Sequence, residues 1–238
     1  MAEFWSVTCP GLILCIRARI FQHISTNRYS RLGLQALCTA GIIYICGKAL
    51  SRLILNNWTS DKWDWRREVV LITGGCSGIG EQIARKFAER NIKVVVLDIT
   101  PPKVAMPTLV HFYKCDITSP ETIRSTARRI SEDVGCPSIL INNAGIGSAK
   151  PLLDETDEEI RRTFDVNNIA HFWVVREFLP HMIKQNHGHV VTVASMASFV
   201  TLASNVSYSC TKAAALSFHE GLAQELRHRY DARKVRTS

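Results

Sequence analysis

From Val69 onwards, short apolar runs alternate with stretches whose apolar residues recur every three or four positions, a pattern that very few folds can accommodate. The strand candidates are Val69–Thr73, Lys93–Asp98, Val110–Cys115, Ile139–Asn143 and His189–Ala194. Between them lie helical patterns: Gly78–Arg90 with Ile79, Ile83 and Phe87 on one face, and Pro120–Val134 with Ile123, Ala127 and Ile130. Thr156, with Glu159 three residues later, forms a capping box heading another helix that runs towards His187. Pro180 is expected to kink it. Tyr208–Tyr230 is the last helix. The expected fold is α/β, a doubly wound parallel sheet with helices on both faces, since right-handed crossovers leave few other topologies.

Two groups of residues carry chemistry. The first strand ends at Thr73 and runs into Gly74-Gly75-Cys76-Ser77-Gly78-Ile79-Gly80, which opens the next helix. Glycines there let the backbone approach a pyrophosphate, and the helix N-terminus supplies free N–H groups. Alone, such a loop reads equally as a tight turn. Between a strand and a helix, at the start of the first βαβ unit, it reads as the phosphate cradle of a Rossmann-type domain. Asp98 ends the second strand, where a carboxylate can accept from adenosine ribose hydroxyls and repels a 2′-phosphate. That favours NAD over NADP, although a basic residue reaching the ribose would readmit NADP. A turn before Thr100-Pro101-Pro102 is the alternative reading of Asp98. Asp116 reads either as an adenine contact or as a turn residue.

The second group lies near the other end. Ser195 follows the fifth strand candidate, at the edge where open α/β sheets bind ligands. Tyr208 and Lys212 are four residues apart on one helix and share a face. A free tyrosine, with a pKa near ~10, is a poor base at neutral pH. A neighbouring ammonium and an oxidised nicotinamide both favour the phenolate. A serine hydroxyl can then hold the substrate oxygen while the phenol moves the proton. Tyr-x-x-x-Lys alone means a solvated helix face; with Ser195, the glycine loop and Asn143-Ala144-Gly145, it points to hydride transfer between a nicotinamide and an alcohol or carbonyl.

Taken together, Thr73-Gly74-x-x-x-Gly78-Ile79-Gly80, Asn142-Asn143-Ala144-Gly145, Ser195 and Tyr208-x-x-x-Lys212 resemble the short-chain dehydrogenase/reductase superfamily over about residues 67–236. The resemblance implies that Asn167, in the pair Val166-Asn167, holds a water linking the lysine to solvent. It also implies that Asp116 meets the adenine and that Asn142 and Gly145 lie near the cofactor. The stretch FDVNNIAHFWVVREFLPHMIKQNHGHVVTVASMAS is similar to the branch with epidermal retinal dehydrogenase and 17-beta-hydroxysteroid dehydrogenase type 11. That branch implies a lipophilic alcohol or carbonyl substrate, an N-terminal anchor, and a membrane-associated, cytosol-facing enzyme of the endoplasmic reticulum or lipid droplet. A homodimer through the two long helices (Thr156–His187 and Tyr208–Tyr230) is implied as well. Val235-Arg236-Thr237 reads as the start of a sixth strand. The family pattern continues beyond it with a Pro-Gly motif, a substrate-covering lid and a seventh strand. The expectation is therefore a domain missing its last strands, with apolar surface exposed and poor stability or aggregation following. A non-catalytic dinucleotide-binding or scaffold protein lacking the lid is the alternative.

Composition bears on what precedes this domain. The chain of 238 residues divides at sequence level into an N-terminal segment, 1–66, and the α/β region, 67–238. The formal charge is +8, but residues 1–68 hold nine Lys/Arg against four Asp/Glu. The α/β region is thus close to neutral and shows no basic stripe, which argues against a nucleic-acid partner. Leu34–Gly47 is a run without charge, and extended to about 32–55 it is long enough to span a bilayer. An interfacial or core helix fits the shorter run equally. Gly11–Ile16 is a weaker apolar patch, and Asn56–Arg67 reads as a linker whose tryptophans either meet a membrane interface or pack on the domain. The eight cysteines show no C-x-x-C pair and no zinc spacing, so no metal site is expected. His181, His187 and His189 read as solvent-exposed turn histidines.

Overall fold

The computed structural model describes residues 28–55, 58, 59 and 61–238. The apolar patch Gly11–Ile16 lies outside them. The chain divides into two units, one ending at Leu55 and one running from Asn56 to Ser238.

Among the described residues the first unit holds one helix, α1 (Arg28–Leu55). Its span Arg28–Ile54 has a mean hydropathy of 1.4 and is long and apolar enough to cross a membrane, by length and composition. At 1.5 Å per residue it extends about 40 Å, more than the ~30 Å hydrocarbon core of a bilayer.

The second unit is built on six parallel strands. They are β1 (Val69–Thr73), β2 (Lys93–Asp98), β3 (Val110–Lys114), β4 (Ile139–Asn142), β5 (Gly188–Thr192) and β6 (Val235–Thr237). Their spatial order is β3-β2-β1-β4-β5-β6, the doubly wound arrangement. The first strand is central, with Val70 level with Val94 on one side and Ile139 on the other. Alternate residues of β1 face opposite layers. Leu71 joins a core with Leu140, Val190 and residues of three helices, α3 (Pro120–Asp133), α5 (Ala170–Gln185) and α6 (Val206–His228). Val70 and Ile72 face α2 (Gly78–Ala88) through Ala84. Burial on both faces explains why these strands read as continuous apolar runs. The helices start where the sequence allows. Ser119 caps α3 by accepting from Thr122 N (3.3 Å), with Pro120 in the first turn. The capping box at α4 (Asp157–Phe164) closes both ways between Thr156 and Glu159.

Two expectations shift. The long helix after β4 is continuous through Pro180, which lies inside α5, and it also carries an unexpected π-helical turn at Asp165–Ile169, between α4 and α5. There the Ala170 N–H reaches back to the Asp165 carbonyl. The fifth strand also ends earlier than expected, at Thr192, because Ala194 N turns back to Thr192 O (3.0 Å).

The segment expected as a linker packs on the amino end of the sheet, and His187 is not a free turn histidine. Its Nδ1 meets Asp61 Oδ2 at 2.5 Å and its Nε2 meets Glu68 at 3.2 Å, while the Trp63 ring lies 4.4 Å from it, centroid to centroid. Glu68 is 5% exposed and takes a further hydrogen bond from Ser138 Oγ. A carboxylate so buried needs these partners. Burial opposes charge on His187, but its bonds to Asp61 and Glu68 outweigh that, and its pKa is raised. A raised imidazole pKa contributes stability that is complete below the unfolded value, near ~6.5, and is lost as pH rises through the folded one. His187→Gln is therefore expected to destabilise this unit by about 1–3 kcal/mol near pH 5.5. The loss shrinks towards about pH 9. Urea melts at the two pH values check this; an equal loss at both rules the ion pairs out as its source.

Candidate active site

The carboxyl ends of β1, β2 and β4 open into a cleft of about 700 Å³, within the range of cofactor sites. Gly74, Ser77, Gly78 and Ile79 line its floor, Asp98 and Asp116 one wall, and Asn143, Ala144 and Gly145 the other. Gly74 and Gly78 adopt φ of +65° and +56°, which non-glycine residues reach only with strain. Gly80 does not line the cleft but is needed beneath it. A Cβ there would lie 2.3 Å from Gly74 O and 2.6 Å from Asn143 Nδ2. Backbone can come this close to a ligand or a neighbouring loop only where side chains are absent, so the cradle fits a dinucleotide pyrophosphate.

Thr73 serves the cleft from behind. Its Oγ1 accepts from Asn143 N (3.0 Å) and Ala144 N (3.1 Å), pinning the loop after β4 to the end of β1. Asn143 Nδ2 donates to Thr73 O and Gly74 O, completing the joint. Asn142, in contrast, is buried outside the cleft lining. Asp98 is held from both sides, Oδ2 accepting from Cys76 N (3.0 Å) and Oδ1 from Thr100 N (3.1 Å). Asp116 Oδ1 accepts from Thr118 N and Oγ1 in a tight turn, and the residue also lines the cleft. Burial, with Asp98 and Glu81 nearby, pushes the Cys76 thiol up to about 11, so it stays protonated.

Beyond Gly145 the second group converges on the loop that follows. A Cβ on Gly145 would sit 3.5 Å from Asn167 Oδ1 and 3.6 Å from Lys212 Nζ. A Cβ on Gly147 would be 3.2 Å from Tyr208 Cδ2. Lys212 is 3% exposed, and its Nζ donates to Val193 O at 2.7 Å. Burial lowers its pKa. Its ammonium lies 5.9 Å from the Tyr208 ring centroid. Ser195 sits three residues beyond β5, where its Oγ accepts from Ala197 N (3.1 Å) and starts a 3₁₀ turn, Met196–Ser198. That turn is fastened to α6 by Ser198 Oγ donating to Lys212 O (2.9 Å).

Asn167 is fully buried beside them. Its Nδ2 donates to Ile146 O (2.8 Å) and Thr211 Oγ1 (3.0 Å), and its Oδ1 accepts from Ile146 N (2.8 Å). The side chain is thus committed to clamping the loop onto α6. Sequence reading also missed Glu155, which accepts from Ser207 Oγ (2.7 Å) and from Ser148 Oγ, tying the same loop to the first turn of α6. Arg162 also borders the cleft. No spacing rule signals either contact.

A glycine cradle, an acidic residue ending β2 and a buried lysine behind a tyrosine are the features of a dinucleotide-dependent oxidoreductase domain. Residues 68–236 match the short chain dehydrogenase family, and the chain belongs to that family, in the branch that includes estradiol 17-beta-dehydrogenase 11. It is 50% identical over 192 residues to the dehydrogenase RED2 of Cochliobolus heterostrophus, covering 79% of this chain and 72% of that one. It is 42% identical over 167 residues to estradiol 17-beta-dehydrogenase 11 of Rattus norvegicus, covering 67% of this chain and 56% of the rat protein. The chain thus spans little more than half of that relative. Among solved structures, 4-hydroxyisoleucine dehydrogenase complexed with NADH aligns with a TM-score of 0.65 at 26% identity, covering 71% of this chain and 72% of that one. The family and this neighbour support a nicotinamide dinucleotide as cofactor.

Proposed function

We propose that this chain interconverts a lipophilic alcohol and its carbonyl, with Tyr208 as acid/base, Lys212 as its electrostatic partner and ribose clamp, and Ser195 as anchor of the substrate oxygen. The observation that carries this reading is the meeting of Asn167, Tyr208 and Lys212 at Gly145 and Gly147, directly beyond the glycine-lined cleft. When bound, the nicotinamide supplies or accepts the hydride. The chain's own residues do the rest. Gly74, Ser77, Gly78 and Ile79 offer backbone to the phosphates, Asn143 and Ala144 wall the cleft, and Tyr208 gives or takes the alcohol proton. Asn167 keeps the loop after β4 in register with α6, a positioning role in the proton relay.

A lipophilic substrate is supported by the loops beside Ser195 and Gly147. Leu153 is 97% exposed, and Met196, Phe199 and Leu202 are also largely exposed. Such an apolar rim suits an apolar ligand. The apolar helix α1 supports attachment to a membrane, with the α/β unit on the cytosolic side of the endoplasmic reticulum or a lipid droplet.

NADH fluorescence titration, paired with turnover on a panel of long-chain and ring alcohols, tests the reading. Binding with turnover is expected. Binding without turnover favours a dinucleotide-binding scaffold, and absence of binding overturns both. Asp98 supports a preference for NAD(H), because its carboxylate, fixed by Cys76 N and Thr100 N, faces the cleft where a 2′-phosphate would be repelled. Asp98→Ala should weaken NADH and strengthen NADPH, moving the affinity ratio by about tenfold or more, equivalent to ~1.4 kcal/mol. An unchanged ratio removes Asp98 from cofactor choice.

A further inference from the structure

One carboxylate beside this site has no part in the chemistry described above. Glu155 lies between a 3₁₀ turn, Leu152–Asp154, and Thr156, the cap of α4. Its Oε1 accepts from Ser207 Oγ (2.7 Å) and from Ser148 Oγ. Those two serines flank one contact. Ser148 follows Gly147, Ser207 precedes Tyr208, and a Cβ on Gly147 would lie 3.2 Å from Tyr208 Cδ2. The far side of the same contact is held by Asn167, which joins Ile146 to Thr211. Gly147 and Tyr208 are thus bracketed, by Ile146 and Ser148 on the loop and by Ser207 and Thr211 on the helix. The first turn of α6 also lacks what Glu155 brings. Its N-cap, Asn205, makes no side-chain cap bond, and the turn holds no acidic residue. A carboxylate from another element supplies the negative charge that a helix N-terminus favours. The placement is unfavourable in another respect. Glu155 Oε2 is buried and has no hydrogen-bond partner among the described residues, and the nearby Lys150 is taken by Glu159 at 2.5 Å. A buried carboxylate oxygen left without a partner weakens the fold, and residues that break such a rule sit where position matters.

We propose that Glu155 is a positioning residue for Tyr208: by drawing Ser148 and Ser207 to one oxygen, it sets the first turn of α6, and with it the Tyr208 ring, against Gly147. The carboxylate does not line the cleft and acts through the two serines. Because a single oxygen takes both hydroxyls, the carbonyl of a glutamine can replace it. The effect on turnover rests on Tyr208 being the acid/base; the placement of the ring does not.

The test uses the full chain labelled with ¹³C-tyrosine, in wild-type, Glu155→Ala, Glu155→Gln and Ser148→Ala/Ser207→Ala forms, with Tyr208→Phe identifying the Tyr208 ring signal. Without cofactor, that signal is expected to shift or broaden in Glu155→Ala and in the double serine variant. In Glu155→Gln it should return to its wild-type position. The kcat should fall about tenfold in Glu155→Ala, a part of the ~10²-fold that a 1 Å misplacement can cost. NADH affinity should stay within about twofold of wild type. Glu155→Gln should recover most of the rate. A Tyr208 signal unmoved by Glu155→Ala overturns the proposal. So does a Gln variant that fails to restore it. An equal change at Tyr113, on β3, or NADH affinity falling in step with kcat, marks general loosening and overturns it as well. Should Glu155→Ala not fold, the double serine variant decides on the same readouts. A wild-type chain without turnover overturns the functional reading alone, because the ring signal is read without cofactor.

Discussion

Tyr208→Phe lowers turnover by at least about 10³-fold while leaving NADH affinity within about twofold of wild type. The size follows from the chemistry. A positioned acid/base contributes 10²–10⁴-fold, and about 10³ corresponds to ~4 kcal/mol of barrier. The substitution removes one oxygen and keeps the ring that packs on Gly147. The loop after β4 therefore has no reason to move. Asn167, Ile146 and Thr211 remain joined, and Lys212 retains Val193 O as acceptor. The glycine loop proposed to cradle the phosphates lies between β1 and α2 and lines the cleft, whereas Tyr208 lies beyond Gly145. A kcat loss with intact cofactor binding is the signature of a group used in the transition state rather than in binding. Retained turnover refutes the role; a parallel collapse of NADH affinity makes Tyr208 a structural residue instead. Lys212→Ala serves as contrast, since a ribose clamp should lose affinity and rate together.

The second large effect lies in the glycine loop. Gly80→Ala is expected to weaken NADH binding on the order of 100-fold, or ~3 kcal/mol. It should also cost the fold about 1–3 kcal/mol, the range for overpacking. The new methyl meets Gly74 O at 2.3 Å and Asn143 Nδ2 at 2.6 Å. Neither can withdraw freely, because Asn143 Nδ2 donates to both Thr73 O and Gly74 O. Relief must come by pushing the loop towards the phosphate site. Gly78→Ala is the control. Its Cβ would meet nothing within 4 Å, so its cost is that of a positive φ, about 1–2 kcal/mol. Calorimetric titration of both variants checks the order. Equal losses mean that backbone conformation, and not the close approach, sets affinity.

The sheet was legible because its strands are short, apolar on both faces and bounded by turns. Val69–Thr73 and Lys93–Asp98 stand as the alternation predicts, and Val110–Lys114 and Ile139–Asn142 each end one residue early. The capping box at Thr156 was legible for a local reason, since both partners lie within one turn. What escaped depends on contacts between distant residues. Nothing near His187 in sequence announces Asp61, 126 residues away. Asn167 is matched by its motif, yet its side chain is occupied by Ile146, from a loop with no periodic signal. The π-helical turn was masked by Pro180, the stronger local cue for a break. Likewise nothing near Thr73 in sequence announces that its hydroxyl faces inwards to the loop after β4, some 70 residues on.

All of these roles require a bound dinucleotide to run from the glycine loop towards Gly145 and Tyr208. A crystal structure of the chain soaked with NADH measures this most directly. The account predicts the pyrophosphate against Gly74–Ile79, the adenosine ribose beside Asp98, and the nicotinamide ring within contact of Tyr208. A nicotinamide lying elsewhere, with the Tyr208 hydroxyl and the Lys212 ammonium both away from it, contradicts the account.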